Sequence, residues 1–170
     1  RGLGDVYKRQ VQVYDWFYDG SAEQMGIRSL EYAPDAPRAR GEGFLKAVCD
    51  FSGAGGGAGY IGSNWDHEED FTRKTVTFNL YIPEALKAGN YRIRFYLMST
   101  PGFWNWVKDS SETFPIENSG WNRVSYRWDK AGLSGNAEKT REVGLIIEKS
   151  PDSPDWTGSI YFDDIGWKNE

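Results

Sequence analysis

The length and composition of the chain bound its fold class and its partners. Its 170 residues are enough for one well-buried domain, and no stretch is typical of a linker between two cores. Lys and Arg total 20 against 25 Asp and Glu, a net charge of -5, so neither nucleic acid nor a membrane is an expected partner. Cys49 is the only cysteine, which excludes an internal disulfide and favours a role as a small core residue.

Residues 1–10, RGLGDVYKRQ, resemble the translation of a transposon-based sequencing adaptor. We therefore expect this segment to be foreign to the native protein and a single folded domain to occupy residues 11–170. The native N-terminus, with any signal peptide, is then expected to lie upstream of the known sequence. An adaptor at this position is typical of an assembled environmental, or metagenomic, sequence.

From residue 11 onward, short alternating runs separated by Gly, Pro, Asn and Asp predict an all-β fold. The clearest predicted strands are 11–18, 44–51, 75–82, 91–98, 121–128, 143–148 and 159–165. A helical turn is predicted at 83–87, because Pro suits a first helical turn and Gly89 suits its end. Many short strands with regular turn signals predict a β-sandwich of the jelly-roll type, built from two antiparallel sheets.

Planar side chains are concentrated on the predicted outward face of three of these strands. The chain has 8 Trp, 10 Tyr and 9 Phe, more rings than a core of this size needs, so some rings are expected on the surface as a binding site. Alternation in 75–82, 91–98 and 121–128 turns one set of residues away from the core. This outward set includes Asn79, Tyr81, Arg92, Arg94, Tyr96, Arg123 and Arg127.

Four segments of the chain resemble known modules in the same order and at similar separations. They are YDWFYDG at 14–20, GEGFLKAV at 41–48, GWNRVSY at 120–126 and WTGSIYFDDIGW at 156–167. Together they are similar to galactose-binding-domain-like carbohydrate-binding modules, which are β-jelly rolls. Within that superfamily the resemblance is greatest to modules appended to bacterial β-mannanases and β-glucanases.

The resemblance implies a function and a setting. The implied function is non-catalytic binding of a plant-type polysaccharide, with β-mannan or β-glucan favoured, in the service of a glycoside hydrolase attached upstream. The implied protein is a monomer that is secreted, periplasmic or held at the cell surface. Two alternatives stay open: a structural β-sandwich that packs against a catalytic domain without binding sugar, and a small glycan-active enzyme.

The resemblance also implies a structural calcium ion between the first and last strands. The Glu that commonly contributes from the first strand is replaced here by Tyr18, which leaves Asp19 and Asp163 as the candidate donors. Because calcium needs several oxygen ligands at once, the alternative is that these are surface carboxylates or turn caps.

The predicted carbohydrate-binding site combines a floor and a wall. Rings stack on the C–H faces of sugars, while guanidinium and amide groups bind hydroxyls. The predicted residues are Asn79, Tyr81, Arg94, Tyr96 and Arg127 for the floor, and Trp104 and Trp106 for the wall. The alternative is an ordinary solvated sheet face, with one of the two tryptophans plugging the end of the sandwich.

The other tryptophans divide by their context. Trp65 is predicted on a loop, whereas Trp121, Trp128 and Trp167 fall in strand patterns typical of packing residues. Trp156 fits either role.

Enzymatic readings have weak support in the sequence. His67 is the only histidine, and its segment 66–70 (DHEED) is typical of a solvated acidic loop rather than a metal site. A hydrolase with a Ser-His-Asp triad would have to use His67, and no Gly-x-Ser-x-Gly elbow is present. Glu112, Glu117 and Glu148 stay open as glycosidase carboxylates, because sequence does not give their separation in space.

Overall fold

The computed structural model of the chain describes residues 16–18, 26–33, 44–53, 58–99, 105–107, 113–127 and 137–169. Strands dominate these residues, beside one short helix, α1 (Glu84–Ala88), and a 3₁₀ turn at Ala137–Lys139. Within these ranges, neither helical segment has the length and apolar character to cross a membrane. The predicted all-β class and the predicted helical turn are both confirmed.

The strands form two antiparallel sheets. Sheet A has the order β1 (Trp16–Tyr18), β4 (Ala58–Glu69), β10 (Thr140–Glu148), β6 (Arg92–Ser99) and β7 (Asn105–Val107), with β8 (Thr113–Pro115) also paired to β6. Sheet B has the order β2 (Ile27–Ala33), β3 (Phe44–Asp50), β11 (Thr157–Asn169), β5 (Lys74–Ile82) and β9 (Gly120–Arg127). The predicted β-sandwich is confirmed.

Alternating side chains in each sheet build one shared core. In β5 every second residue is buried, and Phe78 is fully so. Phe95 of β6 is equally buried and lies against Phe78, with ring centroids 5.0 Å apart, so the two rings join sheet B to sheet A. Burial of each large apolar side chain stabilises the sandwich by about 1.5–3 kcal/mol. Cys49 is in this core, as predicted, where burial raises its pKa to about 12.

Four strands lie outside the predicted ones, namely β2, β4 and the two three-residue strands β7 and β8. In β4 the pattern is broken by Gly59 and Gly62 and by a run of polar residues, so strand alternation is not visible in the sequence. Gly59 is needed there because a Cβ atom would overlap the side chain of Ile27 on β2. The prediction that Trp65 and His67 lie on loops is wrong, since both lie within β4.

Lys149 closes one end of the sandwich. Its side chain is almost fully buried, and its ammonium donates hydrogen bonds to the carbonyl oxygens of Phe51 and Gly53, both at 3.0 Å, and is paired with Asp155. Trp156, whose role the sequence left open, packs on the Phe51 ring with centroids 6.4 Å apart. Trp156 is therefore a packing residue at this end of the core.

We expect Gly144→Ala to destabilise the fold. A Cβ atom at this position would overlap both the backbone oxygen of Ile61 and the Tyr96 ring, so the unfolding free energy should fall by about 1–3 kcal/mol. Urea denaturation measures the change. Gly53→Ala is the matched control, because no atom lies within 4 Å of its Cβ position. Equal stability of the two variants would contradict the close packing of Tyr96 on β10.

Candidate functional site

The residues predicted to form one binding face lie on two different sheets. Asn79 and Tyr81 are on β5 and Arg127 is on β9, both in sheet B, whereas Arg94 and Tyr96 are on β6 in sheet A. Their side chains do alternate away from the core as predicted, but the outer faces of two packed sheets point in opposite directions. The prediction of a single continuous face is therefore wrong.

Tyr96 and Glu142 form a buried polar pair on the outer face of sheet A. The Tyr96 ring lies over Gly144, the residue directly opposite it on β10. Its hydroxyl donates a 2.6 Å hydrogen bond to the Glu142 carboxyl group. Tyr96 is only 1% exposed and Glu142 only 2%, so the Tyr96 ring does not present the open stacking surface that the sequence predicted.

The environment of Glu142 changes its acidity. Burial raises the pKa of Glu142 to about 7, and the hydrogen bond from Tyr96 offsets only part of this effect. Burial disfavours a charged carboxylate because the surrounding protein solvates it less well than water does. Glu142 therefore titrates close to neutral pH.

Arg94 and Glu148 form the neighbouring charged pair on the same face. The Arg94 guanidinium donates to the Glu148 carboxylate, and the two side chains are 29% and 28% exposed. The Nε of Arg94 is buried and has no hydrogen-bond partner among the described residues. We refer to Arg94, Tyr96, Glu142 and Glu148 together as the sheet A cluster.

One of the two predicted wall tryptophans, Trp106, lies on the strand that pairs with β6. Trp106 is in β7, at the register position opposite Met98 of β6. Trp104 lies outside the described residues. The stacking role of both tryptophans stays a prediction.

One row of paired residues crosses all five strands of sheet B. From β2 to β9 the row consists of Glu31, Lys46, Tyr161, Tyr81 and Trp121, and we call it the sheet B row. The three rings of the row are partly exposed. Tyr81 contacts Tyr161 at 5.9 Å and Trp121 at 5.7 Å between ring centroids, in both cases edge to face.

Trp121 was assigned wrongly to the core. It lies on the outer face of sheet B, where it also contacts Phe44 with ring centroids 5.6 Å apart. Phe44 is buried but is not part of the central core, since it shares the face of Lys46. The sequence did carry a signal for this, because Trp121 shares its parity with Arg123 and not with the inward Val124. Trp167, by contrast, packs on Phe71 in the core as predicted.

The remaining predicted residues of sheet B lie at different distances from the sheet B row. Asn79 is in the next row, between Asp163 and Arg123. Arg127 pairs with Thr75 at the far end of β9, about 20 Å from Trp121 along the strand. Asn79 therefore belongs to the surroundings of the sheet B row and Arg127 does not.

The described residues do not assemble a metal site. Asp19 lies outside them, and Asp163 is a partly exposed residue beside a bulge between β11 and β5. Within the described part of the chain, no three or more His, Cys, Asp or Glu side chains come together in a way that could hold a metal ion. Asp163 alone does not fit calcium, which needs several oxygen ligands. The calcium ion stays a prediction.

Two of the three candidate catalytic carboxylates lie within the described residues, in different segments of the chain. Glu148 is held by Arg94 in sheet A, and Glu117 is exposed before the start of β9. Glu112 lies outside the described residues. His67 is exposed and lies 3.5 Å from Glu69, its near neighbour on the same strand.

Comparison with known proteins places the fold. No family model matches the chain, and no curated protein matches it in sequence. A structure determined to explain the promiscuous specificity of β-sandwich carbohydrate-binding modules matches with a TM-score of 0.66 at 15% identity, covering 98% of this chain and 62% of that chain. This chain therefore spans less than two thirds of that protein.

Two smaller modules match over nearly their whole length. The carbohydrate-binding module TmCBM27, known for specific mannan recognition, has a TM-score of 0.60 at 15% identity and coverage of 97% of this chain and 95% of that one. CBM28, which is specific for non-crystalline cellulose, has a TM-score of 0.61 at 14% identity and coverage of 92% and 89%. This chain has the β-sandwich fold of carbohydrate-binding modules, as the sequence resemblance predicted.

We expect Glu142→Gln to flatten the dependence of stability on pH. The pKa of Glu142 is higher in the folded chain, about 7, than its ordinary value of 4.5, so the folded state holds this proton more tightly. The unfolding free energy should therefore fall as the pH rises from about 4.5 to about 7, by up to about 3 kcal/mol. The variant should match the wild type at pH 4 and exceed its stability at pH 8.

Urea denaturation at several pH values measures this difference. Glu138→Gln, at an exposed position in the 3₁₀ turn, is the control and should follow the wild-type profile. If the wild type and Glu142→Gln have parallel pH profiles, the pKa of Glu142 is not raised in the folded chain.

The predicted calcium ion is tested by chelation. If calcium is held by Asp19 and Asp163, treatment with EGTA should lower the melting temperature, and added calcium should restore it. Asp163→Asn should weaken calcium binding in isothermal titration. A chelated protein that binds no calcium and keeps its melting temperature would remove this prediction.

Proposed function

We propose that the chain is a non-catalytic module that binds a plant-type polysaccharide, with β-mannan or β-glucan as the favoured class. The observation that carries this proposal is the sheet A cluster, in which planar and charged groups are held together on the sheet face opposite the core. A carbohydrate ligand would contact this face of sheet A.

The sheet A cluster has the chemistry that sugar hydroxyls require. Arg94 presents a planar fork of donors, and Glu148 beside it presents acceptors. Each of these side chains is more than a quarter exposed, so both are within reach of a ligand.

Tyr96 and Glu142 act in this proposal as positioning residues. Both are buried, and the hydrogen bond between them fixes the surface on which Arg94 and Glu148 lie. Ordering the donors before the ligand arrives lowers the entropic cost of binding. Trp106, on the neighbouring strand, and Trp104 keep their predicted role as stacking rings.

The ligand class rests on the similar structures, and the setting rests on the sequence resemblance. Mannan and non-crystalline cellulose, the ligands of the two modules that match over most of their length, are both β-linked polysaccharides. Attachment to a glycoside hydrolase, outside the cell or at its surface, is the setting we propose. There the module would keep the enzyme close to its substrate by raising the effective concentration.

Affinity electrophoresis tests this function. We expect native gels containing β-mannan or β-glucan to retard the protein, and gels containing xylan or galactan to retard it less. Arg94→Ala should weaken binding by about 10- to 100-fold, because a lost hydrogen bond to a charged group costs about 1.5–3 kcal/mol. Arg73→Ala, at an exposed turn position, is the matched control.

Two outcomes would contradict the proposal. Unretarded migration on every glycan would remove the binding function and favour a structural sandwich that packs against another domain. Release of reducing sugar from the same glycans would show that the chain is an enzyme. A thermal melt of each variant separates lost binding from lost folding.

A further inference from the structure

The sheet B row forms a second surface whose chemistry the sheet A proposal does not use. Its three rings, Tyr161, Tyr81 and Trp121, stand side by side on neighbouring strands. Because neighbouring strands lie about 4.8 Å apart, the rings make a continuous aromatic strip about 10 Å long that crosses the strands. The strip faces away from both the core and the sheet A cluster.

The rings of the strip are held in place before any ligand arrives. Tyr81 lies between the other two rings and contacts the edge or face of each. Phe44 supports Trp121 from β3, although two strands separate β3 from β9 in sheet B. These two side chains must therefore lean towards each other across the outer face of the sheet. Rings fixed in this way lose little side-chain freedom on binding.

Polar groups continue the strip at one end and run along its side. Lys46 and Glu31 extend the row beyond Tyr161 and form an ion pair at 3.0 Å. Asp163, Asn79 and Arg123 make up the next row, and Arg123 is exposed. Each row thus carries one acidic and one basic residue, so the surface as a whole is close to neutral.

We propose that the sheet B row is a second carbohydrate-binding surface, which holds a neutral polysaccharide chain lying across the strands. The exposed parts of the rings would contact the C–H groups of the sugar units, while Arg123, Lys46 and Glu31 would bind their hydroxyl groups. The module then has two ligand surfaces on opposite faces.

The polar surroundings favour a glycan over a protein partner at this surface. Protein interfaces are depleted in Lys, Glu and Ser near their centre. Here Lys46 and Glu31 belong to the row itself, and Ser159 and Ser29 line its other side. The balance of charge also favours a neutral ligand over an acidic polysaccharide.

A module with two opposite ligand surfaces can join two polysaccharide chains. If both surfaces bind the same chain type, the second attachment is favoured by the high local concentration of that polymer. The protein would then remain on a dense polysaccharide longer than either surface alone would allow.

Nuclear magnetic resonance of the indole N–H groups tests the second surface directly. The protein is labelled with ¹⁵N and titrated with mannohexaose or cellohexaose, and Trp121→Phe assigns the Trp121 signal. We expect this signal to shift and to saturate, in the wild type and equally in Arg94→Ala. The Trp156 signal, assigned by Trp156→Phe, should stay in place because that ring packs against Phe51 at the end of the core, away from the sheet B row.

Variants at the row supply the second measurement. Tyr161→Ala and Arg123→Ala should each weaken the titration seen at Trp121 by about tenfold. Arg123 is exposed and outside the core, so Arg123→Ala should fold normally. It therefore tests the surface even if Tyr161→Ala unfolds the protein.

The outcomes separate this proposal from the sheet A function. If the Trp121 signal does not move while Arg94→Ala still reduces retardation on gels, the second surface is rejected and the sheet A site stands. The strip would then be a surface for packing against another domain. If the Trp121 signal moves while Arg94→Ala has no effect on retardation, the sheet B row carries the binding. If the Trp121 signal does not move and Arg94→Ala has no effect on retardation, both proposals are overturned.

Discussion

The structure depends on the contact between two apolar layers, one from each sheet. Phe78 of sheet B and Phe95 of sheet A meet at its centre, and the inward residues of the neighbouring strands extend the layer. Side chains alternate along a strand. A residue that points into this layer therefore makes the residues before and after it in the same strand point outward. Tyr81 and Tyr96 therefore face outward because Leu80 and Phe95 face inward. The core and the two candidate binding faces are consequences of one constraint.

The same constraint explains which parts of the fold the sequence predicts. In β5 and β6 apolar residues alternate without interruption, so the strands and their inward residues were predicted correctly. β4 was missed because glycines replace the large side chains where the chain approaches Ile27. The order of strands within a sheet depends on pairing between distant segments, which alternation does not encode. For that reason alternation alone led to the wrong prediction that the outward residues of β5, β6 and β9 share one face.

The candidate site, like the fold, was predictable from the sequence only in part. Arg94 and Tyr96 were found because they alternate with large apolar residues on one strand. Glu142, the partner of Tyr96, lies 46 positions further along the chain, and only the pairing of β6 with β10 brings the two together. Nothing in the local sequence distinguishes Glu142 from a solvated glutamate. Trp121 could have been placed from its parity, but its contact with Phe44 depends on how sheet B brings β3 and β9 together.

The position of β11 has a consequence for how the chain folds during synthesis. This strand lies between β3 and β5, yet it follows every other strand of sheet B in the chain. Until the ribosome has released β11, sheet B exists only as two separate pairs, β2 with β3 and β5 with β9. Until then one backbone edge of β3 and one of β5 lack the strand that pairs with them in sheet B. Long-range pairing of this kind slows folding and leaves strand edges open to other chains. A nascent chain paused before β11 is therefore the species most exposed to aggregation and to capture by chaperones.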